Sequence, residues 1–315
     1  MQIGLMVEGQ NGLTWERWIH IIKSAEQLGF PAVYRSDHFY IFGKQEDSLE
    51  AYVSFAVAAR ETKSIRFGPL VTPITFRSPV DLGRMAAQIN LLSEGRFILG
   101  LGSGWYQPEH DAYGIPFPGL KERFDRLEEG IEVIKALWGE GPASYAGDYY
   151  QLNEANCLPK PTEGADTPIL IGGAGRKRTL PIAAKYGAEW NCMNLPVAVY
   201  RRKLEAVEQS CHALGRDPGS LRRSMASFGL IGHDQGMLDR ITEYQMKQVG
   251  QSGSPAAYRE TMSSRGFITG LTNEVVDQLS EYAELGVAEI QFQHFDYAWD
   301  EFPSYLAGEL APRVA

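Results

Sequence analysis

The chain has 315 residues, 44% of them hydrophobic and 22% charged, which allows a large core and excludes wholesale disorder. A formal net charge of -9 disfavours nonspecific nucleic-acid binding, which needs Lys and Arg accumulated against phosphates. No apolar run approaches the roughly 18 residues of a membrane span and no basic region leads into a signal core, so a soluble, cytoplasmic protein without membrane attachment is expected.

In chain order, short β-rich runs alternate with longer segments of helical period, the pattern of repeated βα units around a parallel sheet. The runs cover residues 3–7, 32–35, 65–71, 96–101, 168–171, 189–193, 225–231 and 289–292. Helices are predicted over 14–28, 49–62, 80–92, 121–138, 179–186, 199–214 and 273–285. Gly29, Gly215 and Gly286 follow three of these helices as natural C′ residues, and Ser78-Pro79 supplies an N-cap and first turn for the third. Eight strands with their crossovers predict an α/β fold, a TIM (β/α)8 barrel forming one domain over residues 1–315. Two segments depart from the bare repeat. Residues 145–152 read as a hairpin turning at Gly147-Asp148, and residues 234–270 read as an insertion after strand seven, a candidate lid over the barrel mouth.

Chemistry in such barrels sits where the βα loops converge, at the strand C-termini. There the sequence places Glu8, Asp37-His38, Thr72, Arg77, Ser103, His110, Asn191, Asn194, His233 and Gln293-His294. An adjacent acid and imidazole after strand two can clamp a cofactor edge and exchange protons near neutral pH. A metal site is not expected, because there is no H-E-x-x-H, and Cys157, Cys192 and Cys211 are odd in number and outside any CxxC. The turn Gly100-Leu101-Gly102-Ser103-Gly104-Trp105 fails the dinucleotide fingerprint; Gly102 and Gly104 either admit a flat ligand to the backbone or simply permit a tight turn. After strand five, Gly172-Gly173-Ala174-Gly175-Arg176-Lys177-Arg178 runs through glycines into a basic helix start. Exposed N–H groups and the helix dipole there suit a phosphate.

Taken in order, Ser36-Asp37-His38-Phe39, Gly68-Pro69-Leu70-Val71-Thr72-Pro73, Gly100-Leu101-Gly102-Ser103-Gly104-Trp105 and Pro168-Ile169-Leu170-Ile171-Gly172-Gly173 resemble the bacterial luciferase-like superfamily, most closely its F420-dependent oxidoreductase branch. Leu158-Pro159-Lys160-Pro161 and Gly215-Arg216-Asp217-Pro218 extend the match along the chain. The resemblance implies a homodimeric TIM-barrel oxidoreductase holding coenzyme F420, or alternatively FMN, in the barrel mouth. Hydride would pass between reduced F420 and a small-molecule substrate; the alternative is an FMN-dependent monooxygenase fed by a reductase partner. It carries Asp37 and His38 over as cofactor-facing catalytic residues. It places a non-proline cis peptide at Leu70-Val71, beside Thr72, behind the ring. Gly172, Gly173, Ala174, Gly175 and Arg176 would hold the phosphate, and the acidic F420 tail would suit Arg176 to Arg178. Trp105 and Pro108 stand where some relatives carry polar cofactor contacts, and the cations that bind a sugar phosphate have no counterpart, which argues against a sugar-phosphate substrate.

Overall fold

A computed structural model describes residues 1–41 and 46–314. Its elements, in chain order, begin β1 (Gln2–Val7), α1 (Trp15–Gln27), β2 (Ala32–Arg35), α2 (Ala51–Glu61), β3 (Arg66–Pro69), β4 (Thr72–Pro73) and α3 (Pro79–Leu92). Next come β5 (Leu99–Gly102), α4 (Gln107–Ala112), α5 (Leu120–Trp138), the hairpin β6 (Ala143–Ala146) and β7 (Gln151–Ala155), β8 (Ile169–Gly172) and α6 (Thr179–Tyr186). The chain continues through β9 (Glu189–Met193), α7 (Val197–Ala213), β10 (Arg222–Ser227), β11 (Leu230–Gly232), α8 (Gln235–Gln248), α9 (Pro255–Ser264), β12 (Thr269–Leu271), α10 (Thr272–Glu284) and β13 (Glu289–His294), and helical turns follow over 301–314. The main sheet runs β3-β2-β1-β13-β10-β9-β8-β5-β4, all in parallel. It closes on itself where Phe67 donates its N–H to Arg96 O at 3.2 Å and Ile98 donates to Phe67 O at 2.9 Å. With β3 and β4 taken as halves of one interrupted strand, this is the eight-stranded barrel expected from the sequence.

Two predicted strands are corrected. The run 65–71 stops at Pro69, the Leu70-Val71 peptide that follows is cis, as the resemblance implied, and the strand resumes as β4, which pairs with β5. The run 225–231 starts earlier, at Arg222, and splits at Gly229, whose φ of 63° lies in the left-handed region that extended backbone does not use. Beyond that glycine β11 leaves the barrel and pairs in parallel with β12 of the insertion. The helices over 107–112 and 301–314 are additional to those predicted; Pro108, Pro303 and Pro312 interrupt the apolar periodicity that reveals a helix.

Alternation along each strand builds two cores. Ile3, Leu5 and Val7 of β1 face outward into the main apolar cluster against the helices, where Trp18, Phe55, Leu82 and Ile131 are all fully buried. Met6 of the same strand points inward and packs with Ala32, Tyr34, Leu70, Ile98, Leu170 and Ala226 inside the barrel. Each large apolar side chain fully buried in the outer layer contributes about 1.5–3 kcal/mol. The inner layer is thin, and beneath it the floor is polar. Glu289, at the start of β13, meets Arg66 at 2.7 Å and Arg222 at 2.8 Å, and Arg222 also lies 3.4 Å from Glu189. Burial, with Glu289 nearby, raises the Glu189 carboxyl above its ordinary range.

Candidate active site

The strand C-termini enclose a cavity of about 480 Å³, within the size range of small-molecule sites. Inward alternation carries Glu8 from β1, Ser36 and His38 from beyond β2, and Gln293 from β13 to its wall. His38 Nδ1 lies 2.7 Å from Glu109 Oε1, and the second carboxylate oxygen accepts the Phe39 N–H at 3.0 Å. Glu109 is fully buried at the start of α4. A carboxylate only accepts, so the proton of this bond sits on Nδ1, leaving Nε2 as the nitrogen that can take or give a proton in the cavity. Trp105, 60% exposed, meets the His38 ring edge-on with centroids 5.7 Å apart.

Asp37, expected beside His38 at the cofactor, turns the other way. It follows Arg35 on the outward register, is buried, and accepts from Arg77 at 2.6 Å and 3.2 Å and from the Thr72 hydroxyl at 2.7 Å. Burial pulls the Arg77 guanidinium down, but the Asp37 carboxylate outweighs it and holds the group above its ordinary value. Thr72, also expected at the cofactor, is fully buried and bonded to Asp37 and Tyr52, outside the cavity lining. Both residues brace β4 against α2.

Leu70, Val71, Gly102, Gly104, Gly172 and Gly173 do line the cavity. The glycines have a specific reason. A Cβ on Gly102 or on Gly172 would stand 2.7 Å from a Val71 methyl, so only glycine lets the Leu70-Val71 segment press into the barrel mouth. Farther along, Ala174, Gly175 and Arg176 lie outside the cavity lining, and Thr179 at the start of α6 returns to it. The Gly173 N–H donates to Asn191 O at 2.8 Å. Arg178 is tied to α5, at 2.8 Å from Asp125 and 3.2 Å from Glu128, which corrects the reading of a three-cation cluster facing a ligand.

His110 is buried in α4, bonded to Thr75 and to Tyr106 O, and His233 lies by Asp234 and Glu309; neither lines the cavity. Cys192 does line it, but burial pushes the thiol up to about 12, too high for a thiolate nucleophile at neutral pH. Among the described residues no group of three or more His, Cys, Asp or Glu is placed to hold a metal ion, and no helix is long and apolar enough to cross a membrane.

Three elements of the site escaped the sequence reading. Glu109 was signalled only by Pro108 and an acid in what proves to be a first helical turn. Gln10 links Ser36 to Glu8, accepting at 2.6 Å and donating at 2.8 Å. Gln245, Gln248 and Val249 reach the cavity from the end of α8 in the insertion.

The sequence matches the luciferase-like monooxygenase family over residues 1–289. It is 31% identical to the F420-dependent hydroxymycolic acid dehydrogenase of Mycobacterium tuberculosis over 222 residues, which span 70% of this chain and 60% of that enzyme. It is 27% identical to the pyrimidine monooxygenase RutA of Escherichia coli over 341 aligned positions, covering 94% of this chain and 87% of the relative. An F420-dependent secondary alcohol dehydrogenase, solved in complex with an F420-acetone adduct, shares the fold with a TM-score of 0.83 at 19% identity, covering 100% of this chain and 99% of that one. The chain belongs to the luciferase-like family of F420- or FMN-dependent oxidoreductases.

Proposed function

We propose that the protein moves a hydride between reduced coenzyme F420 and a small organic substrate, with His38 as the proton donor or acceptor. The observation that carries this reading is the buried Glu109 carboxylate on Nδ1 of an imidazole that lines the cavity. The residues present fit a flat, phosphate-bearing cofactor. Met6, Leu70, Val71 and Ala226 offer an apolar wall to a ring system, and Gly172, Gly173 and Thr179 lead from it to the helix start on which Arg176 and Lys177 are exposed. F420, when bound, supplies or accepts the hydride.

The chain's own residues then manage the proton. Hydride arriving at a carbonyl carbon leaves an electron pair on oxygen, and His38 donates to that oxygen from Nε2. In the reverse direction Nε2 takes the hydroxyl proton while Glu109 stabilises the imidazolium through Nδ1. Asp37, held by Arg77 and Thr72, fixes the backbone from which His38 projects.

A second reading, an FMN-dependent monooxygenase supplied with reduced flavin by a partner reductase, is supported by the likeness to RutA across most of the chain. The two separate on oxygen dependence. Turnover with reduced F420 and carbonyl substrates is expected without oxygen, and His38→Ala should lower it roughly 100-fold or more at unchanged cofactor affinity. Near-normal turnover of that variant removes His38 from the chemistry, and oxygen uptake coupled to product hydroxylation selects the second reading.

A further inference from the structure

We propose that the substrate carries its carbonyl or hydroxyl carbon on a flat, neutral, apolar ring, and that Trp105 is the specificity-determining residue that positions this ring beside His38. This deepens the reading of the cavity as the site of a carbonyl or alcohol oxidoreductase and rests on it. Trp105 follows β5, lines the cavity and is 60% exposed, although tryptophan is on average a strongly buried residue. Its ring meets two aromatic neighbours among the described residues: His38, edge-on with centroids 5.7 Å apart, and Tyr106, tilted at 5.2 Å. More than half of the indole is therefore open, next to the imidazole that manages the proton. Met193, 39% exposed, and Val249, 37% exposed, line the same cavity, and Phe228 and Phe295 are half-buried there. These side chains are separate from the Met6, Leu70, Val71 and Ala226 wall assigned to the cofactor ring. Large apolar side chains left open and gathered in one concave site point to a ligand that covers them.

The polar part of the wall explains what the site refuses. Among the described residues none that lines the cavity is Lys or Arg, whereas the Glu8 carboxylate is there. An anion entering the cavity would lose its hydration with no basic side chain in return. A polyhydroxyl ligand would find much of the wall already committed. Glu8 accepts from Gln10 and Gln293, the Ser36 hydroxyl donates to Gln10 at 2.6 Å, and the Asn191 amide donates to Ser224 at 2.8 Å and to Gln291 at 2.9 Å. His38 differs, because Glu109 holds Nδ1 and leaves Nε2 to a ligand oxygen. A ligand with one oxygen at Nε2 and a flat ring against the indole uses both of these features, since aromatic rings gain from packing on one another beyond the area they bury.

The test is isothermal titration of the protein, in the presence and absence of F420, with acetophenone, acetone, 4-acetylbenzoate and glucose 6-phosphate as probes. Acetophenone should bind at least about tenfold more tightly than acetone, which lacks the ring, and than 4-acetylbenzoate, which adds a carboxylate to it. Trp105→Ala should weaken acetophenone about tenfold and acetone less than about threefold, and Trp105→Phe, which keeps a flat ring, should hold acetophenone within about threefold of the parent protein. A merely structural role for Trp105 would weaken both ketones together. No acetophenone binding, equal or tighter binding of 4-acetylbenzoate or glucose 6-phosphate, unchanged acetophenone affinity in Trp105→Ala, an equal loss for acetone, or no rescue by Trp105→Phe each overturns the proposal. Binding is read here without turnover, so a failed redox assay and a failed acetophenone titration remain separate outcomes.

Discussion

At the floor of the barrel, Glu189 and Glu289 face Arg66 and Arg222, and Gln291 and Ser224 bond to the same carboxylates. At the mouth, the Glu8 carboxylate accepts from the side-chain amides of Gln10 and Gln293, Gln245 and Gln293 keep amide atoms without partners, and His38 is bonded to Glu109 through one ring nitrogen. The strands and their inward register are the same at both ends. What differs is spare hydrogen-bonding capacity. Groups that satisfy one another hold the strand starts together; among the described residues the Tyr34 hydroxyl, its phenol pushed well above the ordinary range by burial, and Arg222 Nε are exceptions there. At the strand ends the His38 ring lines the cavity with one nitrogen held by Glu109, which leaves the other to a ligand. Stability and chemistry are therefore expected to separate along the barrel axis.

Substitutions at the two ends should dissociate these properties. His38→Ala is expected to abolish most turnover while lowering the denaturant midpoint less than a core or floor substitution, because the ring is at the cavity wall and the buried Glu109 carboxylate keeps the Phe39 N–H as a partner. Glu289→Gln should do the opposite: leaving two arginines short of their carboxylate should cost roughly 3 kcal/mol of unfolding free energy, with kcat of the folded enzyme within about twofold. If Glu289→Gln lowered turnover as strongly as it lowered stability, the separation would fail.

A related contrast involves pH. Burial pulls His294 down to about 4, against the opposing pull of Asp296 and Asp300, so the folded protein keeps this imidazole neutral. Above the unfolded value near 6.5 the residue is neutral in both states and contributes no pH dependence. As the pH falls below 6.5 the unfolded chain takes up a proton that the folded chain refuses, so stability drops by up to about 3 kcal/mol and levels off near pH 4. His294→Phe, next to Phe302, should remove that part of the acid slope in urea titrations at pH 7 and pH 4.5. The smallest effect is expected at Gly172. Adding a methyl there forces Val71 to move and should cost about 1–2 kcal/mol of stability, with roughly tenfold weaker cofactor binding. Unchanged affinity would show that the Val71 wall does not contact the cofactor.

Most of the barrel could be read from the sequence, because parallel strands buried on both faces leave continuous apolar runs and glycines mark several helix ends. The break after the third strand was anticipated only through the family resemblance, which placed a cis peptide at Leu70-Val71, and the split of the seventh strand at Gly229 was not anticipated. At the site, His38 was legible and its partner was not. The neighbouring Asp37 was the obvious acid, yet period-two alternation sends adjacent residues to opposite faces, and applying it across 34–38 already puts Tyr34, Ser36 and His38 on one side and Arg35 and Asp37 on the other. Glu109 is 71 residues away, on a one-and-a-half-turn helix whose position is set only by tertiary packing. The unpartnered amides of Gln245 and Gln293 are a property of three-dimensional burial, and nothing in a string of residue types reports it.

The central claim is that F420 sits in the mouth of the barrel beside His38. Fluorescence titration of the purified protein with F420 and with FMN, separately, tests this most directly. Saturable binding of F420 at micromolar concentrations or below, with FMN at least about tenfold weaker, is the predicted result. Tight binding of FMN with no saturable response to F420 would contradict it.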